Sequence, residues 1–500
     1  MDLTAKQQLV YDELIKFVNQ KKKRELILVG YAGTGKTTLI SKFINDICSN
    51  NICNKVVLAA PTHKAVNIAK SKINIINNTN DKSKKKIEIM TIHRLLNYQN
   101  FIDSTNGTRY FAKSLVDPNW TIYDLIIIDE CSMLNEQLIN DINSELQKTP
   151  NIKIIYVGDS AQLPPVNEET SKIFDKQIDK LYLDEIIRTK SAKIMELSQS
   201  HRFWIEGKAM PELSKYSDDN IIIYPYKYKN IWLKRFLKCH SDKNLTNAII
   251  LCWTNKNVNA YNDYIRQKKF GSGTLNKYEI GEIIIFNDFH VIKEINEDNK
   301  EKKIAFHTSE QVKVNDVKES MHFVDLFGKI NSNILNKDVI KIINDGITKM
   351  NKQLNSFQIY DLSVTKLDSD KIYNIKTIHK NSTTNYSKLI EFVTEYIMNI
   401  KTNAFKYIDS SKDTINKCEL VAELEKKMNS IWKAFHMILS EPFAELNYGY
   451  AITVHKSQGS TFDNVFIDLS DILDNQKDIE MKKCLYTAIT RSANKINILI

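Results

Sequence analysis

A chain of 500 residues, 42% hydrophobic and 26% charged, is too long for one core and reads as three or four domains or lobes of a globular protein. No run nears the ~20 apolar residues of a membrane span, and no basic-then-apolar signal opens the chain, so an intracellular protein in an unassigned compartment is expected. The seven cysteines lack any CxxC spacing, which argues for reduced thiols and no zinc site, while the net charge of +10 suits a polyanionic partner such as nucleic acid.

The first predicted element is a helix from Leu3 to about Asn19, with Thr4 as its N-cap and Leu9, Val10, Leu14 and Phe17 on one face. Gln7, in its first turn, carries an amide that can pair with an adenine edge or lie at the surface. A strand over Leu26 to Val29 then runs into Gly30, Gly33, Thr34, Gly35, Lys36, Thr37 and Thr38, which fit G-x-x-x-x-G-K-[ST]. Backbone N–H groups of such a loop cradle phosphates; Lys36 would reach the β/γ oxygens and Thr37 would hold Mg²⁺ at a helix start whose dipole favours an anion.

Further apolar runs end in polar tips: Val56 to Ala59 before PTHKAV, Leu125 to Ile128 before Asp129-Glu130, and Ile154 to Val157 before Gly158-Asp159. Runs apolar on both faces fit a parallel sheet covered by helices, with ligands at the carboxyl ends of its strands. There Asp129 would hold Mg²⁺ and Glu130 would polarise water. Gln162 reads either as a γ-phosphate sensor or as a polar residue ahead of Pro164-Pro165.

Residues 97–124 look like an inserted hairpin, with Asn106-Gly107 as a two-residue turn and Phe101-Ile102 and Tyr110-Phe111 on its arms. Alternation would turn one of Tyr110 and Phe111 outward and the other inward. A second strand series comprises Ala248 to Leu251, Ala451 to Val454, Val465 to Ile467 and Ile496 to Ile500. It is interrupted over 278–440, where β-like runs (Glu282 to Phe286, Gln311 to Val314) give way to Lys- and Asn-rich helical stretches, with 290–303 and 366–385 as exposed connections.

In order, LTAKQ (3–7), GYAGTGKTT (30–38), AAPTHKAV (59–66), TIH (91–93), DECSM (129–133), GDSAQLPPV (158–166), Arg188, TNKNVNAYN (254–262), TVHKSQG (453–459) and YTAITRS (486–492) resemble a superfamily 1 helicase. GDSAQLPPV and PTHKAV are most similar to the Dda-type and RecD-like branch, which runs 5′ to 3′ on DNA, whereas 315–435 matches no known pattern. The resemblance implies an α/β fold of two RecA-like P-loop domains with parallel sheets. The first would span 1–190 with the hairpin as a strand-separating pin, and the second 191–277 and 441–500, interrupted by an SH3-like and helical insertion over 278–440.

By the same resemblance Gln7 contacts adenine, Gly459 joins the nucleotide site, and Arg188 and Arg491 complete a catalytic set with Lys36, Glu130 and Gln162. ATP and Mg²⁺ are the implied cofactors. Pro61, Thr62, His63, Thr91, His93, Thr254, Asn255, Lys256, Thr453, His455 and Lys456 would hold the DNA backbone, and Tyr110 or Phe111 would wedge the junction. Implied partners are single-stranded DNA, duplex junctions and single-strand-binding or replication proteins, with no membrane and a monomeric chain serving replication or repair. A P-loop ATPase that remodels protein assemblies is the alternative reading; a non-hydrolysing nucleic-acid binder is disfavoured because Lys36, Glu130 and Arg491 are all present.

Overall fold

The computed structural model describes residues 3–73, 86–165, 168–240, 248–271, 273–295, 301–324, 335, 337–353, 356–367, 369–410 and 417–500. The first lobe contains β1 (Glu25–Gly30), β2 (Val56–Ala60), β3 (Ile87–Thr91), β6 (Leu125–Ile128), β7 (Lys153–Gly158) and β8 (Lys180–Leu183), with the hairpin strands β4 (Tyr98–Ile102) and β5 (Arg109–Lys113) between β3 and β6. The six lie parallel in the order β3-β2-β6-β7-β1-β8.

The inner strands β2, β6, β7 and β1 are buried on both faces and carry no polar alternation, whereas the edge strands β3 and β8 are partly exposed. Leu26, Leu28, Leu58 and Val157 pack with Leu39, Phe43 and Ile44 of α2 (Lys36–Ser49), which follows α1 (Ala5–Asn19). Their neighbours Ile27, Val29, Val57 and Tyr156 turn to the other face, against Leu138, Ile142 and Leu146 of α5 (Glu136–Lys148). Between these come α3 (His63–Lys72) and the short α4 (Ile92–Leu95), each springing from the carboxyl end of a strand. The Thr4 cap is present, but Leu9 is 65% exposed. The inward face of α1 instead runs Gln7, Val10, Leu14 and Phe17, spaced three or four apart as helical periodicity requires.

The second lobe opens with α6 (Ala192–Ile205), β9 (Ile221–Tyr224), α7 (Lys229–Cys239), β10 (Ala248–Cys252) and α8 (Asn255–Phe270). An insertion follows, containing β11 (Ile283–Phe286), β12 (His290–Ile295), β13 (Glu301–Phe306), β14 (Gln311–Phe323), α9 (Lys337–Gln353), β15 (Ser356–Lys366), β16 (Ile372–Ile378), α10 (Thr383–Ser410), α11 (Lys417–Phe435) and β17 (Leu446–Tyr448). The chain then completes the lobe with β18 (Ala451–Thr453), β19 (Phe462–Asp468), α12 (Leu469–Leu473), α13 (Asp478–Ile489) and β20 (Ser492–Leu499). Its parallel sheet has the order β18-β10-β19-β20-β9.

Backbone packing divides the chain into two compact units: residues 1–98, 113–271 and 449–500, holding both RecA-like sheets, and residues 99–112 with 272–448. The hairpin therefore belongs with the insertion, whose limits are wider than the expected 278–440. In this second unit an antiparallel sheet runs β16-β15-β14-β11-β17. Two expected connections are strands: β12 pairs with β13, and β16 buries Tyr373, Ile375 and Thr377 in strict alternation. Apolar Ile372 on an outward position and polar Thr377 on an inward one had hidden that period.

The expected two-residue turn is a longer loop. Asp103 donates its N–H to the Thr108 carbonyl at 2.9 Å, and Gly107 donates to the Asp103 carbonyl at 2.7 Å. Gly107 is left-handed (φ +72°) and Asn106 is not, whereas a type I′ turn needs two such residues. The loop is fastened to the insertion helices: Trp432 Nε1 donates to the Ser104 carbonyl (3.1 Å), His436 Nε2 to the Gly107 carbonyl (2.9 Å) and Lys401 Nζ to Ser104 Oγ (3.0 Å), and Arg109 pairs with Glu441. A Cβ on Gly107 would lie 2.2 Å from the Trp432 ring. Gly107→Ala should therefore cost ~1–3 kcal/mol through backbone strain and overpacking, lowering the melting temperature by a few degrees. An unchanged melting curve would show that the loop is not held this way.

Candidate active site

The sheet of the first lobe delivers its polar tips to one edge. At the end of β1, Gly33 (φ +82°) and Gly35 (φ +76°) take left-handed conformations that let the chain turn into α2. A Cβ on Gly33 would meet Arg188 at 2.8 Å, so this close approach also requires glycine. Lys36 Nζ donates to the carbonyls of Gly30 (2.8 Å) and Tyr31 (2.9 Å), and Thr34 Oγ1 donates to Tyr31 (2.9 Å). Burial lowers the Lys36 pKa, against the opposing pull of Asp159, Glu130 and Asp129.

Thr37 Oγ1 donates to Asp129 Oδ2 at 3.2 Å. Burial raises the Asp129 pKa to about 6, with the Glu130 charge adding to it. A Mg²⁺ ion fits here, because a buried carboxylate that resists ionisation gains a counter-charge, and Mg²⁺ takes few protein ligands besides phosphate oxygens. Glu130 is left-handed (φ +52°), a strained backbone for a residue with a side chain, and it lines the same cavity.

Gln162, Arg188, Gly459 and Arg491 line this cavity with Gly33, Gly35, Lys36, Thr37, Thr38, Asp129 and Glu130. Arg188 Nη1 donates to the Thr490 carbonyl (2.6 Å) and Arg491 Nε to that of Thr487 (3.1 Å). Burial, and after it the Arg188 charge, bring the Arg491 pKa down to about 10 against the pull of Glu130. Six separate segments of the chain thus meet in one space.

Gln7 departs from expectation. Its Oε1 accepts from the Thr4 N–H (3.1 Å), its Nε2 donates to the Thr34 carbonyl (3.1 Å), and it is not among the cavity's lining residues. The amide closes the capping box of α1 and fastens it to the phosphate loop. Sequence reasoning missed Lys72, Ile187 and Thr461, which also line the cavity, and Arg202, buried beside Asp159. A lone arginine or a β-branched residue in a loop carries no local signal.

The candidate DNA residues also gather at strand ends. Pro61, Thr62 and His63 follow β2, and Thr91, which pairs with Ala60, leads to His93, so the two groups are neighbours. The threonines are helix caps or turn acceptors: Thr62 accepts from Ala65 N–H (3.2 Å), Thr91 from Arg94 (3.3 Å), Thr254 from Asn257 (3.3 Å) and Thr453 from Lys456 (3.3 Å). Thr254 also donates its proton to Asp471 Oδ1 at 2.7 Å, so its hydroxyl is spent inside the protein and not offered to phosphate. Asn255 and Lys256 beside it are exposed, and His455 lies 3.8 Å from Glu480. Burial lowers the pKa of His63, His93 and His455, favouring neutral imidazoles that still donate one N–H. Tyr110 and Phe111 are 51% and 49% exposed, and Tyr110 stacks on Phe101 at 5.7 Å. Neither packs inward as expected: the hairpin meets the insertion helices through its loop and Ile102, which leaves both rings half exposed.

With its folded pKa near 6 and an ordinary unfolded value of 3.8, Asp129 binds a proton more readily in the folded chain. Stability of the nucleotide-free protein should therefore gain from Asp129 as pH falls from about 6 toward 4 and lose that gain as pH rises. Denaturant titrations across this range should show the slope flattened in Asp129→Asn; an identical slope would refute the assignment.

Residues 3–223 match the AAA domain model and residues 448–499 the UvrD-like helicase C-terminal domain. Uncharacterized protein R530 of Acanthamoeba polyphaga mimivirus is 32% identical, over 99% of both chains. The ATP-dependent DNA helicase dda of Enterobacteria phage T4 is 25% identical over 98% of this chain and 97% of its own. The RecBCD enzyme subunit RecD of Buchnera aphidicola subsp. Schizaphis graminum is 27% identical over 95% of this chain and 70% of its own.

Proposed function

This chain belongs to the superfamily 1 helicases of the Dda and RecD branch, and from that premise we propose that it hydrolyses ATP, moves 5′ to 3′ along single-stranded DNA and opens duplex DNA. The observation that carries the reading is that Gly459 and Arg491 of the second lobe line the same cavity as Lys36 and Glu130 of the first. Hydrolysis then depends on both lobes standing together.

The backbone N–H groups of the phosphate loop and the amine of Lys36 bind the phosphates, at a helix start whose dipole favours them. Thr37 and Asp129 would hold Mg²⁺, which when bound neutralises charge shared between β- and γ-oxygens. Glu130 takes the proton of the attacking water, Gln162 contacts the γ-phosphate, and Arg188 and Arg491 stabilise the charge of the transferring group. Alternation between lobes held together and lobes released would move the DNA backbone across Pro61 to His63, Thr91, His93, Asn255, Lys256, Thr453, His455 and Lys456. Because those groups meet phosphates and not base edges, translocation would be indifferent to sequence. Single-strand-binding or replication proteins would be its partners in replication or repair, and the chain would work as a monomer.

Lys36→Ala should abolish turnover, and Glu130→Gln should bind ATP while losing hydrolysis by on the order of a hundredfold or more. The unmutated protein should unwind a duplex with a 5′ single-stranded tail and leave a 3′-tailed one intact. Preferential unwinding of the 3′-tailed substrate would overturn the polarity, and normal single-turnover hydrolysis by Glu130→Gln would overturn the chemistry.

The exposed aromatic pair on the hairpin is the proposed wedge, since stacking on a base is worth ~1–3 kcal/mol, comparable with the ~1.4 kcal/mol of a base-pair step. As both rings are exposed, the Tyr110→Ala/Phe111→Ala double variant should lose unwinding while keeping DNA-stimulated ATPase and single-strand translocation. Wild-type unwinding by that variant would assign strand separation elsewhere.

A further inference from the structure

On α13, the helix that leads into Arg491, Tyr486 is 1% exposed. Its hydroxyl accepts the backbone N–H of Ala32 in the phosphate loop (3.2 Å) and donates to Asp159 Oδ2 (2.8 Å). The other Asp159 oxygen accepts from the Ala161 N–H (3.1 Å) and from the guanidinium of Arg202. Arg202 also donates to Ser160 Oγ (3.1 Å) and lies over the Tyr31 ring at 4.0 Å. The phosphate loop and the Gly158–Gln162 segment therefore meet at one hydroxyl supplied by the second lobe, and α6 joins them through Asp159.

A buried tyrosine with a satisfied hydroxyl is common in protein cores. Two features give this one more to do. Its partners are next to groups that line the nucleotide cavity: Ala32 precedes Gly33, and Asp159 accepts from the segment carrying Gln162, whose own N–H donates to the Asp159 carbonyl at 3.2 Å. Both bonds also cross between the lobes, beside the Leu163 N–H bond to Thr487 Oγ1 (3.3 Å) and the Arg188 bond to the Thr490 carbonyl (2.6 Å). A phenol-to-carboxylate bond in a dry site is charge-assisted, and its loss leaves Asp159 with an uncompensated lone pair.

We propose that Tyr486 is a positioning residue whose hydroxyl latches the second lobe onto the phosphate loop and the Gly158–Gln162 segment, setting Arg491 against the γ-phosphate. The inference rests on the nucleotide-site reading above and needs nothing from the DNA reading. The latch acts when the lobes are together, so it contributes to the transition state and little to binding of the product nucleotide.

Tyr486→Phe keeps the ring that packs on Ala32 and Ala161 and removes both hydrogen bonds. Without DNA, kcat for ATP should fall on the order of ten- to a hundredfold, the scale of one charge-assisted hydrogen bond. Affinity for ADP with aluminium fluoride, which mimics the transferring phosphoryl group, should fall by a similar factor, and affinity for ADP alone should stay near that of the unmutated chain. Arg202→Lys, which keeps the buried charge but loses the forked geometry, should show the same selective loss and carries the test if Tyr486→Phe does not fold. Wild-type kcat in a folded variant, or equal loss of ADP and ADP–aluminium fluoride affinity with a lowered melting temperature, would mean that the hydroxyl only supports packing and would overturn the proposal. Failure of the unmutated chain to bind either nucleotide would overturn the site reading and the latch with it.

Discussion

Burial opposes charge, yet the centre of this molecule holds charges that burial has not removed. Lys36 is pushed toward its neutral form by desolvation while Asp129 is pushed toward protonation, and each is drawn back by the other's presence. Asp159 shows the same contest won by its partners: burial alone would raise its carboxyl, but Arg202 and Lys36 hold it below the usual range. Such a cluster is stable only if its members cannot drift apart, since a buried charge without a partner costs several kcal/mol. A parallel sheet meets that requirement because it sets the tips of β1, β6 and β7 side by side on a rigid edge.

The second lobe brings Arg491 into the same electrostatic problem, beside Arg188 of the first. Arg188 and Arg491 are both depressed mainly by burial, and both are drawn toward Glu130. Bringing two guanidinium groups into that space is unfavourable on their own account, and the negative charge of the carboxylates offsets it. A transferring phosphoryl group would offset it further, which is how lobe approach and hydrolysis become one event. The covering helices α2 and α5 contribute by stiffening the sheet from its two faces.

Much of this could be read from the chain because its signals are local. A buried parallel strand is a continuous apolar run, a phosphate loop is a fixed glycine spacing, and Thr4 announced its helix by a capping pattern that the structure retains. What escaped the sequence depends on partners distant along the chain. Tyr486 and Asp159 are 327 residues apart, and no spacing rule connects them. Gln7 was legible as a special residue, but its amide is turned to the Thr34 carbonyl, a choice made by the loop's shape. The hairpin was visible in Asn106-Gly107 and the aromatic pairs that flank it, whereas its longer loop follows from Asp103 and Asn106 capping backbone N–H groups and from the tryptophan packed beneath Gly107. In the insertion, an exposed Ile372 and a buried Thr377 masked the alternation of β16.

The central claim is that a nucleotide site split between two lobes is governed by DNA lying across both. Its most direct test is the steady-state ATP hydrolysis rate of the unmutated protein with and without single-stranded oligo-dT, at saturating ATP and Mg²⁺. The account predicts slow hydrolysis alone and a steep rise with the oligonucleotide, weakening as salt screens the phosphate contacts. An identical rate with and without the oligonucleotide at low salt would contradict it.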